Sequence, residues 1–461
     1  MEARRAPFPL PRFPGTLLLV CRTLRRHGFS CYIVGGALRN MALGTPPDDY
    51  DLATDAPPRE VMKLFRRVIP TGIQHGTVTI VFRDHCYEIT TFRVETSYSD
   101  GRHPDEVRFT TSLEEDLSRR DFTINAMALD PLTGEFFDPF DGYSDIKRRL
   151  IKAIGNPEER FEEDALRILR AIRFATQLSF SIEQETYAAI GRHAEYLRRI
   201  SWERIRDELS KIMEAVRPSQ GFLRMEETGI LSIVVPELKK CRGVPQSPPH
   251  RFDVLDHLLH TCDALPPSDP PLRWAGLLHD IGKPETLSED DLGGIHFHRH
   301  EHVSSHLAQH ILKRLKFPNA VIQDVSHLIR HHMFDYTPDW TDAAVRRFLH
   351  RTGPEYLERL IKLRIADRIG MTGETAPSHD LAGLKARAER LLAENTPLSI
   401  KDLAVDGHIL KEDAGIPPGP WMGKTLRFLL DAVLEDPSQN TRARLTELAR
   451  NFYTQRGKQH V

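Results

Sequence analysis

Asp49 and Asp51 stand one residue apart in Asp48-Asp49-Tyr50-Asp51-Leu52-Ala53-Thr54, downstream of Tyr32-Ile33-Val34-Gly35-Gly36-Ala37-Leu38-Arg39-Asn40. The apolar segment enters a Gly-Gly turn, a short helix comes next, and the carboxylate pair is expected in a second strand. Strand side chains alternate with period two, so both carboxylates belong on one face. Two ionised carboxylates side by side repel unless a cation lies between them. Mg²⁺ favours a few carboxylates plus substrate phosphates, and a Gly-Gly turn lets backbone approach a phosphate closely. The set predicts a nucleoside triphosphate site with metal-assisted phosphoryl chemistry. By itself an Asp-X-Asp is more often a pair of surface acids, so its meaning depends on the motifs downstream of it.

Glu88, in Tyr87-Glu88-Ile89-Thr90-Thr91-Phe92, sits mid-strand in an apolar run. It is either a third carboxylate for a two-metal site or an edge-strand Glu facing water. In Arg119-Arg120-Asp121-Phe122-Thr123-Ile124-Asn125 the arginine forks suit phosphate or ribose. Asp121 and Asn125, one helical turn apart, are spaced to bond a sugar, and Asp121 is also a candidate helix N-cap. The run Arg160-Phe161-Glu162-Glu163-Asp164-Ala165-Leu166-Arg167-Ile168-Leu169-Arg170 places Glu163 and Asp164 within a turn of Arg167 on the helix expected over Glu158–Gln177. As a surface ion pair this contributes only a few tenths of a kcal/mol. As a base reader it has a definite code. Asp164 accepts from an exocyclic amine, present on cytosine and adenine, and Arg167 donates to the neighbouring ring acceptor. Guanine and uracil offer a carbonyl there, and a site of fixed polar groups rejects such a mismatch strongly.

Gly-Gly…Asp-Tyr-Asp, His75-Gly76-Thr77-Val78-Thr79, Arg-Arg-Asp-Phe-Thr-Ile-Asn-Ala and Glu-Asp-Ala-Leu-Arg occur in order. Together they resemble the class II nucleotidyltransferases that add CCA to tRNA 3′ ends. Asp141-Gly142…Asp145 is similar to that family's head–neck link, and Glu203-Arg204-Ile205…Glu208-Leu209 to its last neck motif. The resemblance covers about residues 30–215. It implies an α+β protein: a polymerase-beta-like α/β head, then an all-α neck, body and tail. It implies two Mg²⁺ ions on Asp49 and Asp51. It implies phosphates at Gly35, Gly36 and Arg39, ribose at Arg120, Asp121 and Asn125, and the base at Glu163, Asp164 and Arg167, with Arg170 a further nucleotide-binding residue. ATP, CTP and the tRNA acceptor end are the implied partners, the helical tail gripping RNA through its backbone. Poly(A) polymerases and A-adding enzymes share the head. Thr71-Gly72-Ile73-Gln74-His75-Gly76-Thr77 resembles the CCA type, and a loop within Arg93–Arg108 disfavours addition of C alone.

Farther along lies a histidine block: His257, His279-Asp280, His300, His331, His332 and Asp367. An adjacent His-Asp brings two ligands to one metal economically. His257, His279, Asp280 and Asp367 resemble the H…HD…D pattern of HD phosphohydrolases. His300 with His331 or His332 is available for a second ion. The resemblance implies Ni²⁺, Mn²⁺ or Mg²⁺ and phosphatase or 2′,3′-cyclic phosphodiesterase activity. His302, His306 and His310 share one helical stripe and are assigned to structure. The expected divisions are a head over 15–150, a neck and body over 151–245, an HD domain over 250–375 and a helical tail over 376–461.

The 461 residues carry a formal net charge of -2, so RNA must be met by local patches rather than a basic field. Five scattered cysteines without a C-x-x-C suit a reducing cytoplasm. Met1–Pro14 lacks an apolar core and reads as no signal peptide, and no run approaches the ~20 apolar residues of a membrane span. A reading of another class is an RNA- or nucleotide-binding regulator with an inert HD block; the intact carboxylates and base-reading set argue against it.

Overall fold

In the computed structural model, which describes residues 4–47, 49–82, 85–95, 107–374 and 379–457, the chain divides into two compact units. The first is Met1–Lys239 with Arg314–Phe317; the second is Lys240–Lys313 with Pro318–Val461. The expected α+β architecture is present.

The first unit is built on an eight-stranded mixed sheet. Its order is Arg4–Arg5, Glu135–Phe137, Ala128–Leu129, Tyr32–Val34, Asp51–Thr54, His85–Thr91, Thr77–Phe82 and Val68–Gly72. Helix Gly15–Arg26 buries Leu17, Val20, Cys21 and Leu24, spaced three and four apart, so one stripe enters the core. Strand Thr77–Phe82 buries Val78 and Ile80, and His85–Thr91 buries Tyr87, Ile89 and Thr91. That alternation sends Glu88 to the opposite face. Asp51–Thr54 runs parallel to Glu88–Thr91, with Asp51 opposite Glu88.

Two local expectations are corrected. Asp49 is not in the strand, which begins at Asp51. Its neighbour Tyr32–Val34 pairs Val34 with Asp51 and then turns at Gly35, so the ladder on that side ends at Asp51. Pro46 and Pro47, which lack N–H donors, also bar the approach from the sheet. The helix expected over Glu158–Gln177 is two helices, Pro157–Glu163 and Leu166–Leu178, with Asp164 extended between them. The Asp164 carboxylate accepts the Leu166 N–H at 3.0 Å, starting the second helix as a cap does.

The second unit is helical, including Val254–Asp263, Pro270–Leu278, Asn319–His331 and Leu357–Thr372. Nearer its end, Leu410, Ile416, Leu429, Leu430, Val433 and Leu445 form a separate apolar cluster among three helices. Among the described residues no helix is long and apolar enough to cross a membrane.

Candidate active site and a second metal centre

A cleft of about 840 Å³ in the first unit gathers most of the expected residues. Gly35, Gly36, Arg39, Asp51, Glu88, Arg120, Asp121, Asn125, Asp164, Arg167 and Arg170 all line it. Asp49 and Glu163 are not among the lining residues, although Asp49 is near enough to push the Asp51 pKa up.

Gly35 has φ 69, and a Cβ there would stand 3.4 Å from both the Arg120 guanidinium and the Asp51 carboxylate. The positive φ disfavours any side chain there, where the strand, the turn and the arginine converge. Desolvation raises the Asp51 pKa, Arg120 pulls it back and Asp49 pushes it up. Glu88 is raised by burial and then by Asp51. Three carboxylates thus lie close together beside Arg120, a donor set that a hard divalent ion fits.

Asp121 and Asn125 meet, but not as one turn of α-helix. Residues Thr123–Asn125 form a 3-10 turn. The Asn125 amide donates to Asp121 Oδ1 at 3.0 Å, and the Phe122 N–H donates to the same oxygen at 2.8 Å. Asp121 Oδ2 accepts from Arg170 at 2.8 Å. The expected N-cap role is therefore absent, because the carboxylate folds back on its own loop. Burial opposes its charge, but Arg170 and Asn125 prevail and bring its pKa down to about 2. Arg39 donates to Asn125 Oδ1 at 2.8 Å. Burial among Arg173 and Arg170 lowers the Arg39 pKa to about 10, so it stays charged at neutral pH.

The break at Asp164 separates the residues expected to read the base. Asp164 Oδ2 accepts from Arg204 at 2.8 Å, across from helix Trp202–Met213. Arg167 donates to Glu163 at 2.5 Å and to the Arg119 carbonyl at 3.0 Å. Asp164 and Arg167 are each fixed by other partners. Glu163 sits behind Arg167 as its anchor.

Two residues not singled out from sequence complete the site. Asp116, fully buried, accepts from Arg119 Nε at 2.9 Å and from Arg120 at 3.4 Å. Its signal was present: it lies three and four residues ahead of two arginines on helix Leu113–Ser118. Phe174 lies under three guanidiniums, Arg39 at 5.0 Å, Arg170 at 5.4 Å and Arg173 at 3.9 Å. Arg170 and Arg173 precede it on its own helix, but spacing gave no signal for Arg39, which comes from a distant segment. Gly142 joins the head to the next helix where a Cβ would meet the Thr123 carbonyl oxygen at 2.1 Å.

The second unit holds a separate buried cluster. His257, His279 and Asp280 converge within ligand distance of one another, as do Asp280, His300 and His332. His257 and His279 Nε2 are 3.0 Å apart, each 3.3 to 3.4 Å from Asp280 and Asp367. Asp280 belongs to both sets. Its Oδ1 and His300 Nε2 lie 3.0 Å apart, yet neither finds a hydrogen-bond partner. Unpaired buried polar atoms of this kind suit a bound cation. Lys283 contacts Asp280 at 2.6 Å and Arg364 contacts Asp367 at 2.8 Å, adding positive charge beside the ligands. Burial works against charge on His279, but Asp280 and then Asp367 lift its pKa to about 10. Of the two candidates for a second ion, His332 is in the cluster. His331 points elsewhere on its helix end, its ring 4.5 Å from that of His327. Residues 96–106, the centre of the loop expected within Arg93–Arg108, lie outside the described residues.

Known proteins share both the sequence and the fold of this chain. Residues 31–152 match the model of the poly A polymerase head domain. Residues 179–241 match "Probable RNA and SrmB-binding site of polymerase A", and 298–449 match tRNA nucleotidyltransferase domain 2. That last match runs across the division expected at 375. A CCA-adding enzyme from Anoxybacillus flavithermus is 36% identical, covering 94% of this chain and 96% of its own. One from Latilactobacillus sakei is 37% identical, over 94% and 97%. The crystal structure of the Bacillus stearothermophilus CCA-adding enzyme in complex with CTP aligns over 96% of this chain and 98% of its own. Its TM-score is 0.75, at 30% identity.

Proposed function

Because the chain belongs to the family of CCA-adding enzymes, we propose that it adds C, C and A to the tRNA 3′ end from CTP and ATP, with no nucleic-acid template. The observation that carries this is one cleft holding both halves of the chemistry. Asp51 and Glu88 line it beside a Gly-Gly turn, and Asp164 and Arg167 line the same cleft.

Asp49 and Asp51 would hold Mg²⁺, with Glu88 alongside. When bound, the metal lowers the pKa of the attacking hydroxyl and neutralises triphosphate charge. Gly35 and Gly36 give the phosphates close backbone approach, and Arg39 and Arg120 supply cations. Asp121 and Asn125, locked to each other, present a fixed pair to the ribose. The tRNA 3′-oxygen bonds to the α-phosphorus, and pyrophosphate departs. Asp164 accepts from the base amine and Arg167 donates to the adjacent ring acceptor. Glu163 and the Arg119 carbonyl hold Arg167 in place, so binding costs little reorganisation. The helical tail would grip the acceptor arm through its backbone, and a cytoplasmic setting fits that substrate.

The experiment supplies tRNA ending before the first C, after CC, and complete, with labelled CTP and ATP. C and A incorporation on the first, A alone on the second and none on the third is the expected pattern. A-only addition throughout, or long A tails on the third, would replace this reading with A addition or poly(A) synthesis.

The second centre supports a further activity in the same chain, hydrolysis of phosphomonoesters or 2′,3′-cyclic phosphates. Its support is the shared ligand Asp280 with two buried ligand sets and two adjoining cations. His257, His279, Asp280 and Asp367 would hold one divalent ion, Ni²⁺, Mn²⁺ or Mg²⁺, and Asp280, His300 and His332 a second. Incubation with 2′,3′-cyclic AMP and each metal tests it, and no hydrolysis with any of the three would end it.

A further inference from the structure

His306 and His310 belong to neither centre. They sit one turn apart on helix His300–Arg314, with Nε2 atoms 2.9 Å apart and ring centroids 4.4 Å apart. Both are exposed, so core packing does not hold them together. His306 opens on a groove of about 430 Å³, with Gln309 on its own wall and Gln323 and His327 on the wall supplied by helix Asn319–His331.

Two imidazole nitrogens at that distance form either a hydrogen bond or the two arms of a chelate. Metal–nitrogen bonds of about 2.0–2.1 Å meeting at a right angle put the nitrogens about 2.9 Å apart. A tetrahedral angle would need about 3.3–3.4 Å. The right angle belongs to tetragonal or octahedral ions, and imidazole is a good donor for Cu²⁺ and Ni²⁺. Helical spacing of four residues already brings the rings together, so little side-chain entropy is lost on binding.

We propose that His306 and His310 form a chelating site for a divalent transition-metal ion of right-angle coordination, Ni²⁺ or Cu²⁺. The remaining coordination positions face the groove and water. The site is open, unlike the buried cluster around Asp280, and loads independently of it.

The test uses the full-length protein. Ni²⁺ bound per chain is counted by equilibrium dialysis at micromolar metal for wild type and for the double variant His306→Ala/His310→Ala. The variant is expected to bind one ion fewer while incorporating CTP at the wild-type rate, which verifies folding. Cu²⁺ added to wild type should give an additional electron paramagnetic resonance component with two-imidazole coupling that is missing from the spectrum of the variant. An unchanged Ni²⁺ count, or a difference visible only at millimolar metal, would overturn the proposal and leave the pair as an ordinary hydrogen bond.

Discussion

Asp51 and Glu88 face each other across a parallel strand pair, and the Asp51 charge adds to burial in raising the Glu88 pKa. Each carboxylate is therefore held where it is disfavoured without a cation. Mg²⁺ with CTP should raise the thermal midpoint of wild type. A ligand at about a hundred times its dissociation constant stabilises by about 2.7 kcal/mol. Asp51→Asn is expected to lose most of that shift and at least about a hundredfold in incorporation rate, since metal charge stabilisation is worth several kcal/mol. Glu88→Gln should lose less. An undiminished Mg²⁺ shift in Asp51→Asn would remove Asp51 from the metal site.

Asp164 meets Arg204 at 2.8 Å while Arg167 is held by Glu163 and the Arg119 carbonyl. Base selection should therefore fail in two ways. Asp164→Ala should let UTP and GTP compete, cutting discrimination in kcat/KM by about tenfold to a hundredfold, as a lost base-edge contact of about 1–3 kcal/mol predicts. Arg204→Ala should raise KM for CTP and ATP by freeing the Asp164 carboxylate, with partial rescue by Arg204→Lys. An equal loss of rate for all four nucleotides in the Asp164 variant would mark the residue as structural.

Much of this cleft was legible because its motifs are local. The strands at 77–82 and around 86–91 follow from alternation, and the Gly-Gly turn from the glycines themselves. What the one-dimensional pattern missed depends on where partners run out. Asp49 lies outside the strand, whose ladder with Tyr32–Val34 ends at the Val34–Asp51 pair. The helix breaks at Asp164 although periodicity carries straight through, because the Asp164 side chain takes the Leu166 N–H. Asp116 carried its signal in Arg119 and Arg120, whereas Phe174 reads as an ordinary helix residue until Arg39, distant in sequence, is placed over its ring. Likewise, spacing left His331 and His332 equivalent, and only the direction of each ring at the helix end separates them.

Asp121 carries a pH signature. Its folded pKa of about 2 lies below the ordinary carboxylate value of 3.8. A depressed folded value contributes stability above the unfolded pKa and loses it as pH falls through the folded one. The contribution is about 2 kcal/mol near neutrality, from about 1.36 kcal/mol per pKa unit. Asp121→Asn should lower the thermal midpoint at pH 6, and the gap to wild type should narrow between pH 5 and pH 3. A gap that is constant across that range would mean the Arg170 contact contributes nothing through charge.

Asp280 serves both ligand sets of the second unit, whereas His331 serves neither. Asp280→Asn should thus abolish metal-dependent hydrolysis of 2′,3′-cyclic AMP with every metal while leaving CTP incorporation at the wild-type rate, because the transfer cleft is built from other residues. His332→Ala should lower hydrolysis and His331→Ala should not. The adjacent pair is a sharp control: both substitutions remove an imidazole from the same helix end, but only His332 is fully enclosed beside Asp280. Equal losses in the two would point to damage to that helix end rather than to a ligand, and a hydrolysis rate unaffected by Asp280→Asn would sever the buried cluster from the activity.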